Sequence, residues 1–155
     1  MKARIFFLLT GTVLFLMACD PQMVFDDFES TGDGTWDWKE IKEFPVSVTD
    51  TLSAHRMFLQ LRHGTDYPFQ NLYVYVHVEG PSGQVLVDTV NIPLARPDGQ
   101  WLGNGSGKLR EIRIPYRTGT RFGESGTYLF RLEQAMRTES LPVTDVGIRI
   151  ERINP

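Results

Sequence analysis

The sequence predicts an all-β protein: a single β-sandwich of seven or eight antiparallel strands, of jelly-roll or immunoglobulin-like type. Three observations predict it. Apolar residues recur at every second position through most of the chain beyond residue 40, the period of a strand with one buried face. Clusters of Gly, Pro, Asn, Asp and Ser separate these runs at short intervals, as hairpin turns do. No window beyond residue 18 carries a long amphipathic helical period, and 155 residues make one ordinary domain with room for a core of its own. The chain has no Cys-Trp-Cys pattern, which disfavours a true immunoglobulin domain.

Taken in order, the first element precedes the domain. Lys2 and Arg4 open a short basic segment, and residues 5–17 are apolar apart from Thr10, Gly11 and Thr12. That run is too short to span a bilayer and fits the core of a secretory signal peptide. It ends in Leu16-Met17-Ala18-Cys19, the shape of a bacterial lipobox. The small Ala18 suits a narrow peptidase pocket, and only a thiol takes a diacylglycerol group as a thioether. Cys19 is the single cysteine of the chain, so no internal disulfide can form. A lone thiol in an oxidising compartment is a liability unless it is modified. The prediction is therefore a lipoprotein signal peptide over 1–18 and lipidation, palmitate included, at Cys19. Each acyl chain contributes about 0.8 kcal/mol per buried methylene, so two or three chains hold a protein firmly. No later apolar stretch is long enough to span, which leaves the lipid as the predicted anchor.

Removing Lys2 and Arg4 with the leader takes the formal charge from −3 to −5. An acidic balance gives no basic footprint for nucleic acid. The charge is uneven: from Asp20 to Asp50 nine acidic residues face only Lys39 and Lys42, whereas the remainder holds ten acidic and twelve basic residues. Residues 19–34 accordingly read as an acidic tether, with Asp26-Asp27, Glu29 and the Gly32-Asp33-Gly34 turn. Its Val24, Phe25 and Phe28 either pack on the body or form a stripe for a partner.

The sandwich domain is expected over 35–155. Residues 44–48 form a first short strand, on a sheet edge because Pro45 cannot complete a central ladder. Met57, Leu59 and Leu61 alternate with polar neighbours in the next. Leu72, Val74, Val76 and Val78 alternate with Tyr73, Tyr75 and His77. Pro81-Ser82-Gly83 makes a tight turn, and residues 84–92 return. Ile112, Ile114 and Tyr116 resume the pattern after a glycine-rich loop. Tyr128, Phe130 and Leu132 share one face, and Val146, Ile148 and Ile150 close the series.

Motifs for chemistry are scarce, and the chain reads as no enzyme, with no cofactor. His55, His63 and His77 lack metal-ligand spacing and thiolate partners, so no metal site is expected; no loop repeats acidic residues as calcium requires. No Gly-x-Ser-x-Gly elbow is present. Glu79, Glu133 and Glu151 are available as glycosidase carboxylates, but charges on strands are usually a solvated face. The loop from Gly99 to Gly107 is the most unusual stretch. Its Trp101, with Leu102 and Asn104, is a candidate partner-binding anchor or else a cap on one end of the sandwich. Lys108 follows that loop, but strand follows in turn, so a phosphate cradle is rejected. Tyr73 and Tyr75 form a stacking platform for a sugar or a partner if exposed, and ordinary cross-strand packing if buried. Arg110, Arg113, Arg117 and Arg121 either balance the acidic segment or meet an anionic partner.

Together these stretches resemble the gliding motility-associated lipoprotein GldH family. The likeness begins at the lipobox and continues through Asn71-Leu72-Tyr73 and Asp88-Thr89-Val90-Asn91-Ile92-Pro93-Leu94-Ala95. It runs on through Asp98-Gly99-Gln100-Trp101-Leu102-Gly103-Asn104-Gly105, Gly126-Thr127-Tyr128, Glu133-Gln134-Ala135-Met136-Arg137 and Asp145-Val146-Gly147-Ile148-Arg149-Ile150-Glu151. The resemblance implies a cell-envelope lipoprotein of a Bacteroidetes-type bacterium, anchored in the outer membrane by the lipid on Cys19. It implies a non-catalytic accessory of a gliding motility or type IX secretion-linked assembly, with envelope proteins as partners. The expectation of a different class is a carbohydrate- or peptidoglycan-binding lipoprotein that uses the aromatic strand face.

Overall fold

The computed structural model describes residues 20–153; the signal-peptide and Cys19 expectations lie outside these residues. Ten strands follow one another: β1 (Met23–Ser30), β2 (Trp36–Asp37), β3 (Lys42–Val48), β4 (Ala54–Gly64), β5 (Asn71–Glu79), β6 (Val85–Pro93), β7 (Leu109–Thr120), β8 (Gly126–Gln134), β9 (Ser140–Leu141) and β10 (Val143–Ile153). Eight are long; β2 and β9 form a two-residue ribbon.

The pairings of the long strands are nested. β5 pairs with β6, β4 with β7, β3 with β8 and β1 with β10, all antiparallel. The chain is thus one long hairpin folded at the turn after Glu79. Rolling that hairpin brings β10 beside β4 and β8 beside β5. The result is two four-stranded sheets, ordered β1-β10-β4-β7 and β3-β8-β5-β6. Consecutive long strands change sheet at every step except β5 to β6, which is the double Greek key of a jelly roll and decides against the immunoglobulin-like alternative.

The alternation expected from sequence places the core between the sheets. Phe44, Val46, Val74, Val76, Phe130 and Leu132 of one sheet meet Leu59, Leu61, Ile148 and Ile150 of the other in a single cluster. Fully burying one such side chain contributes about 1.5–3 kcal/mol. Pro45 does lie on an edge strand, β3. The other edge of that sheet is β6, whose Asp88 points inward. Its carboxylate accepts from the Tyr116 hydroxyl at 2.5 Å and pairs with Arg117 at 2.6 Å, so β6 and β7, the edge strands of the two sheets, are bridged.

The acidic tether expected over 19–34 is corrected over Met23–Ser30, which is an edge strand of the first sheet. The reason is a charge partner remote in sequence. Arg149 of β10 binds Asp20, Asp26 and Glu151. Gln60 donates to Asp26 at 2.6 Å and accepts from Arg113 at 2.9 Å. A hydrogen-bonded polar layer therefore runs across all four strands. Burial works against the charge of Arg149, but the bonds to Glu151, Asp26 and Asp20 prevail and raise its pKa. Val24 and Phe25 pack on the core. Phe28 lies across Gly147, where a Cβ would meet its ring, with the Arg62 guanidinium 4.1 Å from the ring centre.

Strand direction sorts the connections into two poles. Residues 49–53, 80–84 and 121–125 lie at one end with Asp20 and Ile153; this is the turn pole. Contacts tie it together: Arg121 donates to the Leu52 carbonyl at 3.2 Å, Ser82 to Glu124 at 2.7 Å, and the Arg152 amide to the Gln22 carbonyl at 2.7 Å. Residues 31–41, 65–70, 94–108 and 135–142 gather at the other end, the loop pole.

Candidate functional site

The loop pole carries the clearest concavity. Its construction starts with the β2 ribbon, where Trp36 points inward; the chain turns after Asp37, with the Glu40 amide donating to the Asp37 carbonyl at 3.0 Å, and Trp38 in that turn points outward. Trp36 is fully buried and its indole N–H donates to the Glu40 carbonyl at 2.8 Å. The Trp38 amide donates to the Glu139 carbonyl at 2.9 Å, leaving its ring 47% exposed. Opposite, Gln134 at the end of β8 is buried and fastens the segment that follows. Its amide group donates to the Thr138 carbonyl at 2.9 Å and accepts from the Met136 amide at 3.0 Å. The fold so imposed brings Met136 over β5: the Ala135 amide donates to the Tyr73 carbonyl at 2.8 Å, and the Tyr73 amide to the Met136 sulfur at 3.4 Å.

Trp38, Tyr75 and residues 133–139 thereby enclose an open groove of about 500 Å³. The Glu-Gln-Ala-Met-Arg run supplies one wall, Trp38 the other, and Tyr75 its aromatic floor. Sequence leaves open whether Tyr73 and Tyr75 are exposed; they are, by 42% and 39%. Lys39 lies 5.3 Å from the Trp38 ring centre, and His77, 3.6 Å from Glu133, continues the polar side of the same sheet face. Aromatic faces, a flexible thioether and mixed charges suit the docking of an extended peptide or a sugar chain. Trp38 carries no motif and sequence reasoning passed over it. Its charged neighbours Asp37, Lys39 and Glu40 are the available signal of an exposed turn.

The glycine-rich loop is a separate construction beside this groove. Trp101 is half-buried against the core, 4.9 Å from the ring of His63. The Leu102 amide donates to the Leu94 carbonyl at 2.8 Å, and Asn104 and Glu111 exchange both backbone bonds at 2.8 and 2.7 Å. Gly103 and Gly105 are needed there: a Cβ on either would collide with a β7 carbonyl, of Glu111 or Leu109, and both have positive φ. Leu102 also packs on the core, so of the three candidates only Asn104 presents its side chain to solvent. Burial pushes the pKa of His63 down, the bond to the Gly64 carbonyl resists, and nearby Arg110 adds to the fall.

Two of the three carboxylates offered by the sequence are paired with arginines and the third faces a histidine. Glu79 shares Arg131 with Glu43, Glu133 faces His77, and Glu151, on the opposite sheet, binds Arg149. Among the described residues no group of three His, Cys, Asp or Glu side chains is placed to hold a metal ion. The four arginines do not act as one patch: Arg113 joins the polar layer, Arg117 holds Asp88, Arg121 meets the Leu52 carbonyl, and Arg110 binds the carbonyls of Gly107 and Leu109.

A family model described as GldH lipoprotein matches residues 23–150 of the chain. A protein of Christiangramia forsetii named "Gliding motility lipoprotein GldH homolog" is 31% identical over 94% of this chain and 94% of its own length. A protein of Flavobacterium johnsoniae named "Gliding motility lipoprotein GldH" is 35% identical over 90% of this chain and 91% of its own. Among solved structures, a chain from infectious bursal disease virus, Gx strain, is 11% identical with a TM-score of 0.31. That match covers 83% of this chain and 32% of the viral one.

Proposed function

Since the chain belongs to the GldH lipoprotein family, we propose that it serves gliding motility as a non-catalytic binding component. In this reading it is anchored in the outer membrane through Cys19, and its partners belong to a gliding or type IX secretion-linked assembly. The observation that carries the reading is the groove between Trp38, Tyr75 and Met136. It is open, aromatic and fixed in shape by Gln134, and it is walled by the Glu-Gln-Ala-Met-Arg run. The pairing of Glu79 with Arg131 and of Glu151 with Arg149, on opposite sheets, supports binding over hydrolysis. The groove takes an extended segment of an envelope protein. Trp101 and Leu102 support the loop pole from within, and Asn104 extends its contact surface.

The test is site-specific photo-crosslinking in cells. A photoreactive residue at Trp38 or Tyr75 of the acylated protein should capture components of the gliding or secretion machinery, and one on the opposite sheet at Arg113 should not. Capture of peptidoglycan alone would favour the second reading, a glycan-binding lipoprotein, for which the exposed rings of Tyr73, Tyr75 and Trp38 are the supporting observation.

A further inference from the structure

We propose that the turn pole is a bilayer-contact surface, whose ligand is the phospholipid interface of the leaflet holding the protein's own acyl chains. The inference rests on the reading of Cys19 as the acylated residue and assigns what that reading leaves open: how the domain lies on the membrane.

The first support is the length of the tether. A free linker of fifteen residues would give the domain a reach of about 20 Å and no fixed orientation. Here the chain is tied from the residue after Cys19. The Asp20 carboxylate binds Arg149, the Met23 amide donates to the Asp20 carbonyl at 3.2 Å, and the Arg152 amide to the Gln22 carbonyl at 2.7 Å. One peptide unit, about 3.8 Å between Cα atoms, separates the attachment point from a residue bound to the sandwich. A thioether whose acyl chains lie in the bilayer therefore sets the turn pole at the depth of the headgroups.

The second support is the distribution of exposed apolar side chains. Leu52, at the tip of the 49–53 turn, is 86% exposed, the highest value for any large apolar residue described. Met23 at the start of β1, and Val85, Leu86 and Val87 at the start of β6, are exposed toward the same end of the sandwich. A single exposed leucine is ordinary. Five aliphatic side chains at one pole, three of them consecutive on a sheet edge, are a liability in water unless something covers them. The other half carries the exposed aromatic residues Trp38, Phe69, Tyr73 and Tyr75 and two exposed aliphatic ones, Ile41 and Leu109. The third support is charge. Arg121 donates to the Leu52 carbonyl and forms no ion pair among the described residues, so its remaining donors face outward beside the leucine. An aliphatic tip with an arginine at its base suits the boundary between acyl chains and phosphates.

The chain supplies its own control, because its three tryptophans, Trp36, Trp38 and Trp101, all lie at the loop pole. The acylated protein is reconstituted in phosphatidylethanolamine–phosphatidylglycerol vesicles whose acyl chains carry bromine. Native emission should be unchanged relative to unbrominated vesicles. In Leu52→Trp the added emission should shift to the blue and fall by about twofold or more. Val85→Trp gives the same reading from the edge strand should the first variant fold poorly. The mass of the N-terminal peptide reports acylation separately: an unmodified Cys19 overturns the anchor reading and this proposal with it. Acylated protein whose added tryptophan stays unquenched overturns the proposal alone. So does a blue shift that follows protein concentration instead of brominated lipid, which would assign the pole to a second copy of the chain.

Discussion

The same eight strands end in two poles built in opposite ways. At the turn pole every connection between strands is five residues long, 49–53, 80–84 and 121–125. At the loop pole the connections run up to the fifteen residues of 94–108, and two of them meet in the β2–β9 ribbon. β4 ends in a buried histidine at each pole: His55 meets Phe122 at 5.1 Å, and His63 meets Trp101 at 4.9 Å. The strands thus close both ends of the core by similar means and leave only one end enough chain to shape a groove. Long connections cost little in loop-closure entropy and carry recognition. Short ones leave a smooth end, useful for lying against a surface.

Two apolar substitutions break this comparison most sharply. Trp36→Ala removes the fully buried indole on which the loop pole is folded and should cost about 3–5 kcal/mol. Leu52→Ala, at the tip of the turn pole, should change stability by less than about 0.5 kcal/mol. Urea denaturation of the two variants checks both values, and similar losses would mean the poles are not built differently. Next in size is Arg149→Ala. It leaves Asp26 without its cation and Glu151 with only Arg56, at 3.7 Å, and should cost about 3 kcal/mol. Limited proteolysis should then cut near β1 before the rest of the domain opens, since β1 is held at one edge only.

That second prediction concerns the element that was least legible in the sequence. Seven long strands announce themselves by alternation, and Pro45 marks its edge correctly. β1 does not alternate: Phe25 and Phe28 are three apart, a register shift separates Met23 from Phe25, and Asp26-Asp27 reads as a solvated run. Its acidic charge is neutralised by Arg149, more than a hundred positions away, and no local pattern records such a partner. An arginine between Ile148 and Ile150 was the available sign that something anionic covers that sheet. The groove was half legible. Tyr75 and the Glu-Gln-Ala-Met-Arg run both stand out in the sequence, but only the rolled hairpin sets them beside Trp38. For Trp101 the sequence left anchor and cap open, and the ring spends much of its surface on the core.

Trp38 and Trp101 sharpen the comparison within the loop pole itself. Trp38→Ala should leave the unfolding midpoint nearly unchanged and reduce partner capture about tenfold or more, as removal of an exposed aromatic anchor does. Trp101→Ala should do the reverse, costing about 2–3 kcal/mol while capture persists below the new midpoint. Thermal melts run beside crosslinking yields separate the two; a Trp101 variant of normal stability that captures nothing would make the glycine-rich loop the contact.

The smallest expected effect is a difference in acid response, and its sign follows from burial. The folded protein holds the pKa of His63 below its ordinary 6.5, chiefly because the ring is desolvated and also because Arg110 is near, with Asp66 and the Gly64 carbonyl resisting. A group whose pKa is depressed on folding lends its full stability above the unfolded value and loses it as pH falls through the folded one. Stability should therefore begin to decline below about pH 6.5, by at most about 0.8 kcal/mol at pH 6. The decline arises at the loop pole, where an imidazolium would form against the indole of Trp101. Protonation should accordingly dim Trp101 emission in step with the loss, and His63→Phe should remove both while leaving Trp38 as responsive to its surroundings as before. An acid response unchanged in His63→Phe would mean that the sensitivity does not arise at the loop pole.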